Sequence, residues 1–135
     1  MHTLPVPTAR REQLVDITRA VQETVRALGC RDGVCHVHCA HTTAGLTINE
    51  NADPDVVHDL LLSLDDMVKH LRGFRHGEGN STAHVKSSLM GTHVSVPINE
   101  GRLALGTWQA LYFCEFDGPR QRQVWITCTP ALEQA

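Results

Sequence analysis

The last third of the chain constrains the fold most, because its apolar residues recur with period two and are interrupted by two turn signals. His93 to Ile98 sets Val94, Val96 and Ile98 on one side, the pattern of a half-buried strand. Asn99-Glu100-Gly101 turns the chain into a second extended run, Arg102 to Phe116, and Asp117-Gly118-Pro119 turns it again into Gln123 to Thr129, where Val124, Ile126 and Cys128 align. Runs joined by such short turns pair antiparallel, so this region is expected to form an antiparallel meander.

The first two thirds add three helices. Thr18 can cap a helix to about Leu28 with Val21, Val25 and Leu28 on one face, and Gly29 ends it. Val34 to His41 and Gly45 to Asn49 have the character of strands. Asp53-Pro54 supplies an N-cap followed by proline at the first helical position. The helix it opens runs to about His70 on a stripe of Val57, Leu60, Leu61, Leu64 and Val68, which leaves His58, Asp59 and Asp65 facing solvent. A short third helix, Thr82 to Met90, would start from a cap at Asn80 or Ser81 and stop at Gly91. The expected class is α+β, a mainly antiparallel, β-sandwich-like core with about three helices. With 135 residues, 41% of them hydrophobic, residues 1–135 suit one domain with its own core.

No apolar stretch is long enough to span a bilayer, and the N-terminus lacks the pattern of a secretory signal. The expectation is therefore a cytoplasmic protein with no membrane partner. A net charge of −3 with three Phe, two Trp and one Tyr gives no footprint for nucleic acid. The five cysteines are an odd number without C-x-x-C spacing, as expected of reduced, mostly buried thiols.

Arg75 to His84, RHGEGNSTAH, is the run most like a site. It sets His76, Glu78, Asn80 and His84 around two glycines and offers few apolar side chains to a core. Its histidines suit metal ligation or acid–base work, and Glu78 suits a ligand, a proton acceptor or an orienter of histidine. A solvated polar loop leading into a helix fits the same composition. The strand CHVHCAH, Cys35 to His41, resembles a zinc cluster only superficially. Cys35 and Cys39 would lie about 13 Å apart along a strand, too far to share one tetrahedral ion. His36 and His38 share a face, as a ligand pair or as a polar outer surface. His41 falls where the strand ends, beside Thr42 and Thr43, as a pocket residue or as a structural histidine bonded to a nearby carbonyl.

The segment Leu105 to Arg122 offers two further groups. Trp108 and Gln109 can line a pocket for a flat heteroaromatic substrate, although a strand tryptophan also serves cores and subunit interfaces. Glu115, Asp117, Arg120 and Arg122 cluster at a turn. They make either exposed ion pairs of little individual worth or an anion site built on bidentate arginine.

Three blocks, HTTAGLTINENADPDVVHDL, RHGEGNSTAH and GRLALGTWQALYFCEFDGPRQR, occur in an order that resembles the YjbQ family, described as secondary thiamine-phosphate synthase enzymes. The similarity runs from about Arg10 to Ile126. The resemblance implies a compact α+β domain, a homotrimer, and a polar metal pocket with His41, His76 and His84 as ligands and Glu50, Asp53, Glu78 and Asn80 nearby. It carries nothing over to His2, His36, His38, His58, His70 or His93. The implied reaction joins hydroxymethylpyrimidine diphosphate to a thiazole phosphate and releases diphosphate. Glu78, Asn80, Asp117 and Arg120 are then the candidate catalytic residues, and Thr42, Thr43, Glu50, Asp53, Trp108, Gln109 and Arg122 the candidate substrate contacts.

Three imidazoles suit zinc or a similar ion, whereas departure of diphosphate usually employs magnesium held by carboxylates; Glu50, Asp53 and Glu78 could supply a separate site of that kind. The chain is shorter than the roughly 200-residue lower bound of a (β/α)₈ barrel, the fold that the principal thiamine-phosphate synthases resemble, so synthesis is expected as a side activity if it is present. The alternatives are a metal-dependent hydrolase of a small phosphorylated or ester substrate, and a trimeric metal- or ligand-binding module without catalysis.

Overall fold

Strands put alternate side chains on opposite faces, and the structure, a computed structural model describing residues 1–133, buries one set of those faces between two antiparallel sheets. The elements are β1 His2–Pro7, β2 Gln13–Asp16, α1 Thr18–Leu28, β3 Gly33–His38, β4 Ala44–Glu50, α2 Pro54–Met67, α3 Ser81–Met90, β5 His93–Asn99, β6 Arg102–Leu103, β7 Gln109–Glu115 and β8 Gln121–Pro130. Five strands form one sheet in the order β1-β8-β3-β5-β6, and three form the other in the order β2-β7-β4. The class is α+β with antiparallel sheet and three helices, as expected.

The main core fills the space between the sheets. Val6, Cys35, Val37, Val96, Val124 and Ile126 come from the larger sheet, Leu46, Leu111 and Phe113 from the smaller, and Val21 and Val25 from α1. The central strand β7 is buried on both faces. Leu111 and Phe113 point into the main core, while Ala110, Tyr112 and Cys114 meet Leu64 of α2 and Ala83 of α3 in a second core behind the smaller sheet. Gly45 permits α3 to lie close on β4, because a Cβ there would fall 2.8 Å from the Gly91 carbonyl oxygen and 2.9 Å from Met90 Cβ.

Several boundaries depart from expectation. β1 and β2 add two strands before α1 to those expected from the sequence. β3 ends at His38 and leaves His41 in the connection to β4, and α2 ends at Met67 with Val68 as its C-cap. The run from Arg102 to Phe116 is not one strand. Residues 104–108 carry the chain from the larger sheet to the smaller, and the turn after β7 carries it back, so the C-terminal strands alternate between sheets and do not form a meander. β8 extends beyond the expected segment at both ends.

Thr18 is the first residue of α1 and does not cap it; Ile17 holds that position, and the Thr18 hydroxyl accepts from the Leu111 N–H at 2.8 Å. Asp53 caps α2 as expected, accepting from the Asp55 N–H at 2.9 Å. Asn80 occupies the N-cap position of α3, yet its side chain makes no capping bond. Cys35 and Cys39 are buried thiols, and burial pushes Cys35 up to about 12. No helix among the described residues is long and apolar enough to cross a membrane.

Candidate functional site

At one end of the space between the sheets the inward-facing positions become polar. Glu115 ends β7 on the face of Leu111 and Phe113, and Arg122, the second residue of β8, lies on the face of Val124 and Ile126, so guanidinium and carboxylate meet where apolar pairs would otherwise sit. Arg122 donates from Nε to Glu115 Oε1 at 2.9 Å and from Nη2 to Glu115 Oε2 and to Thr43 Oγ1, the last at 2.9 Å. Glu115 also accepts from Thr8 Oγ1 at 2.7 Å and from the backbone N–H groups of Phe116 and Asp117. Burial pushes this carboxyl up, but the bonds from Arg122, Thr8 and the Asp117 backbone outweigh burial and hold it below the usual carboxylate range. Of the two readings of this turn, exposed ion pairs do not apply to Glu115 and Arg122, which are both buried.

Above this pair opens a polar cavity of about 360 Å³. The connection from β3 to β4 lines it with Ala40, His41, Thr42 and Thr43; the loop before α3 and the first turn of that helix contribute His76, Glu78, Asn80 and His84; and the turn from β7 to β8 contributes Asp117, Arg120 and Arg122. These are the three segments that the sequence marks out.

His41 satisfies both of its sequence-level readings. Its Nε2 lies 3.1 Å from the backbone N and O of Gln123, so one tautomer donates to the carbonyl and the other accepts from the amide, and Nδ1 remains for a ligand. Its ring meets Phe113 edge-on at 6.3 Å and so closes the end of the apolar core. Desolvation, and then the nearby Arg122 charge, lower its pKa below 6.5 and favour the neutral ring that a metal requires.

His76 and His84 approach edge-to-face with ring centroids 5.3 Å apart, and Glu78 lies 3.9 Å from His76 Nε2. The donor chemistry of three imidazoles suits a borderline ion. As the side chains stand, no group of three or more His, Cys, Asp or Glu among the described residues is arranged as a metal cage.

Asn80 gives a second sign of a ligand. Its Nδ2 donates to Asp117 Oδ2 at 2.8 Å, while its Oδ1 is buried and has no hydrogen-bond partner. An acceptor left in that state costs about 1–3 kcal/mol, and the group is fixed in place at the cavity wall. Arg120 donates to the same Asp117 carboxylate at 3.0 Å and to the Asp117 carbonyl at 2.8 Å. Burial raises the Asp117 pKa, but bonds from Asn80 and Arg120 outweigh it and keep the carboxyl below its ordinary range.

Four sequence candidates lie elsewhere. Glu50 pairs with Gln109 at the opposite end of β4 from Ala44, a strand length of about 20 Å at 3.3 Å per residue. Asp53 caps α2, Trp108 is 61% exposed, and Gln109 accepts from the Gly106 N–H. Glu50 and Asp53 therefore do not join Glu78 in a magnesium site within one chain. Sequence reasoning passed over Thr8, which carries no local signal, and the burial of Glu115, which the alternation of β7 does signal.

A sequence profile described as "UPF0047 protein YjbQ-like" matches residues 2–131. UPF0047 protein YugU of Bacillus subtilis is 48% identical over 127 residues, covering 93% of this chain and 96% of the relative. A UPF0047 protein of Methanocaldococcus jannaschii is 46% identical over 121 residues, covering 90% and 88%. The crystal structure of a conserved protein of the yjbq/upf0047 family from Clostridium acetobutylicum superposes with a TM-score of 0.92 at 47% identity, covering 96% of this chain and 100% of that one.

Proposed function

The chain belongs to the YjbQ-like UPF0047 family, and on that premise we propose that it is a divalent-metal enzyme acting at the phosphate or diphosphate of a small substrate. The observation that carries this reading is the meeting of His41, His76 and His84 with Glu78, Asn80, Asp117 and Arg120 around one cavity. The three histidines would hold zinc or a similar ion, which when bound supplies neutralisation of the phosphate oxygens and an activated water. Both arginines already face carboxylates, Arg120 against Asp117 and Arg122 against Glu115. With Glu78 also present, neutralisation of a phosphate falls to the bound ion and to an arginine that can leave its carboxylate.

Arg120 is the guanidinium that can turn to substrate, because its side chain is 53% exposed whereas that of Arg122 is 7% exposed. Arg122 instead fixes Thr43 and the floor of the cavity. Glu78, near His76, is the proton acceptor, and Asn80 Oδ1 accepts a hydrogen bond from a hydroxyl, amine or bound water.

The specific reaction we put forward is the one the resemblance implies, the joining of hydroxymethylpyrimidine diphosphate and thiazole phosphate with release of diphosphate, as a side activity. A second reading, hydrolysis of one small phosphorylated substrate, is favoured by the lining of the cavity, which includes no Phe, Trp or Tyr of the described residues to stack two heterocycles. Assembly as a homotrimer would let Trp108 serve a neighbouring copy. Free thiols at all five cysteines support a reducing, cytoplasmic setting.

Metal analysis of His41→Ala, His76→Ala and His84→Ala should show lowered content in each; full retention in all three would overturn the metal site. Diphosphate release only when both precursors are supplied supports the synthase, and release from one precursor alone supports the hydrolase. Arg120→Ala should lower either turnover at unchanged metal content, with only partial rescue by lysine because a point charge lacks the planar fork. Full metal occupancy with no turnover would overturn the enzyme reading and leave a binding module.

A further inference from the structure

The outer face of the five-stranded sheet carries a second group of histidines that the cavity does not use. His36 and His38 stand two residues apart on β3, and His93 of β5 is the register partner of His38. All three project away from the core side of the sheet, which Cys35, Val37 and Val96 occupy. The rings of His36 and His93 stack with centroids 5.7 Å apart. Their nitrogens converge as well: His93 Nε2 lies 2.8 Å and His36 Nδ1 3.3 Å from the same atom, Ser95 Oγ.

The other side of this group is closed by β8. Trp125, the register partner of His38 on that strand, stacks on the His38 ring at 5.7 Å, and Thr129 Oγ1 lies 3.1 Å from His36 Nε2. Two imidazole nitrogens directed at one point, with a third imidazole beside them and a hydroxyl between them, make a donor set of borderline softness. Ser95 Oγ can donate to one of the two histidines and accept from the other, so a hydroxyl now holds the two ring nitrogens that an ion would have to draw together.

We propose that His36 and His93, with His38 as a third ligand, form a surface site for a borderline transition-metal ion such as Cu(II) or Zn(II), built from residues other than those of the cavity. The three side chains do not stand as a finished cage. His38 and His93 are exposed on regular strands, so rotation about their side-chain bonds completes the site without moving the backbone. His38 leaves Trp125 in the process, which gives the site its own optical signal.

The test is a Cu(II) titration followed by tryptophan fluorescence in protein carrying Trp108→Phe, which leaves Trp125 as the sole tryptophan of the two in the chain. His76→Ala and His84→Ala are included in the background, so that the cavity keeps only His41, whose bonds to Gln123 help to hold the fold. The expected result is saturable quenching at one equivalent, weakened at least tenfold by adding His36→Ala or His93→Ala. His93→Gln, which preserves a hydrogen bond to Ser95, should weaken binding by as much as alanine, separating ligation from maintenance of the sheet face. Absence of saturable quenching in the background protein, or quenching unchanged by His36→Ala together with His93→Ala, would overturn the site and leave these rings as cross-strand stacking alone.

Discussion

Glu115 is fully buried and accepts hydrogen bonds from Thr8, Arg122 and two backbone amides, so its carboxylate orders three chain segments around one point. Replacing it by alanine strands the Arg122 charge in the interior, and the expected loss is about 3–5 kcal/mol in urea unfolding. Glu115→Gln should cost less, since an amide keeps part of the hydrogen bonding.

The pH dependence follows from the direction of the shift. A carboxyl held below its ordinary value of 4.5 contributes stability above that value, and the contribution disappears as pH falls through the lower, folded-state pKa. Asp16 and Asp117 are shifted in the same direction. The urea midpoint of the wild type should therefore fall on acidification below about pH 4.5, and the fall should be shallower in Glu115→Gln. At this scale the sequence was half legible. Alternation already places Glu115 with Leu111 and Phe113, but its carboxylate suggested an exposed turn, because Arg122 arrives from the opposite sheet and only the fold brings the two together.

The elements were legible in proportion to how strongly one face dominates them. α1 and β5 declare themselves by clean periodicity. β1 does not, because Pro5 and Pro7 interrupt its pattern; proline is tolerated there because β1 is an edge strand paired only with β8. β7 reads as a continuous apolar run because two cores cover it, and nothing in its composition marks the passage between sheets at residues 104–108. The helices expose a different dependence. α3 carries His84 and is set on β4 by the close approach at Gly45, by the bond from Ser87 Oγ to the Ala44 carbonyl at 2.6 Å, and by that from the Leu46 N–H to the Gly91 carbonyl at 3.0 Å. Gly45→Ala should push the C-terminal end of α3 off the sheet, at a cost of about 1–3 kcal/mol in stability and with weakened metal binding at the cavity. Unchanged thermal unfolding and unchanged metal content would show that the contact is dispensable.

Across the whole molecule, large apolar side chains remain uncovered on the helices and at the crossing between sheets, among them Leu62, Met67, Leu89 and Trp108. Surface of this kind favours self-association. The trimer implied by the family resemblance should appear in sedimentation, and a strictly monomeric protein that binds metal and substrate at full affinity would count against a site completed by a neighbouring copy.

The crossing of the chain between sheets has a consequence for the protein during its synthesis. Every proposed pocket histidine has been made by residue 84, yet His41 is anchored on Gln123, and Glu115 and Arg122 supply the floor. A nascent chain still lacking β8 thus holds the ligands without the chamber. Pairings between residues so distant in sequence are late events in folding, so the pocket should become competent only once the C-terminal strand has left the ribosome and inserted between β1 and β3. Immature copies would then have little capacity to sequester metal or substrate through this site.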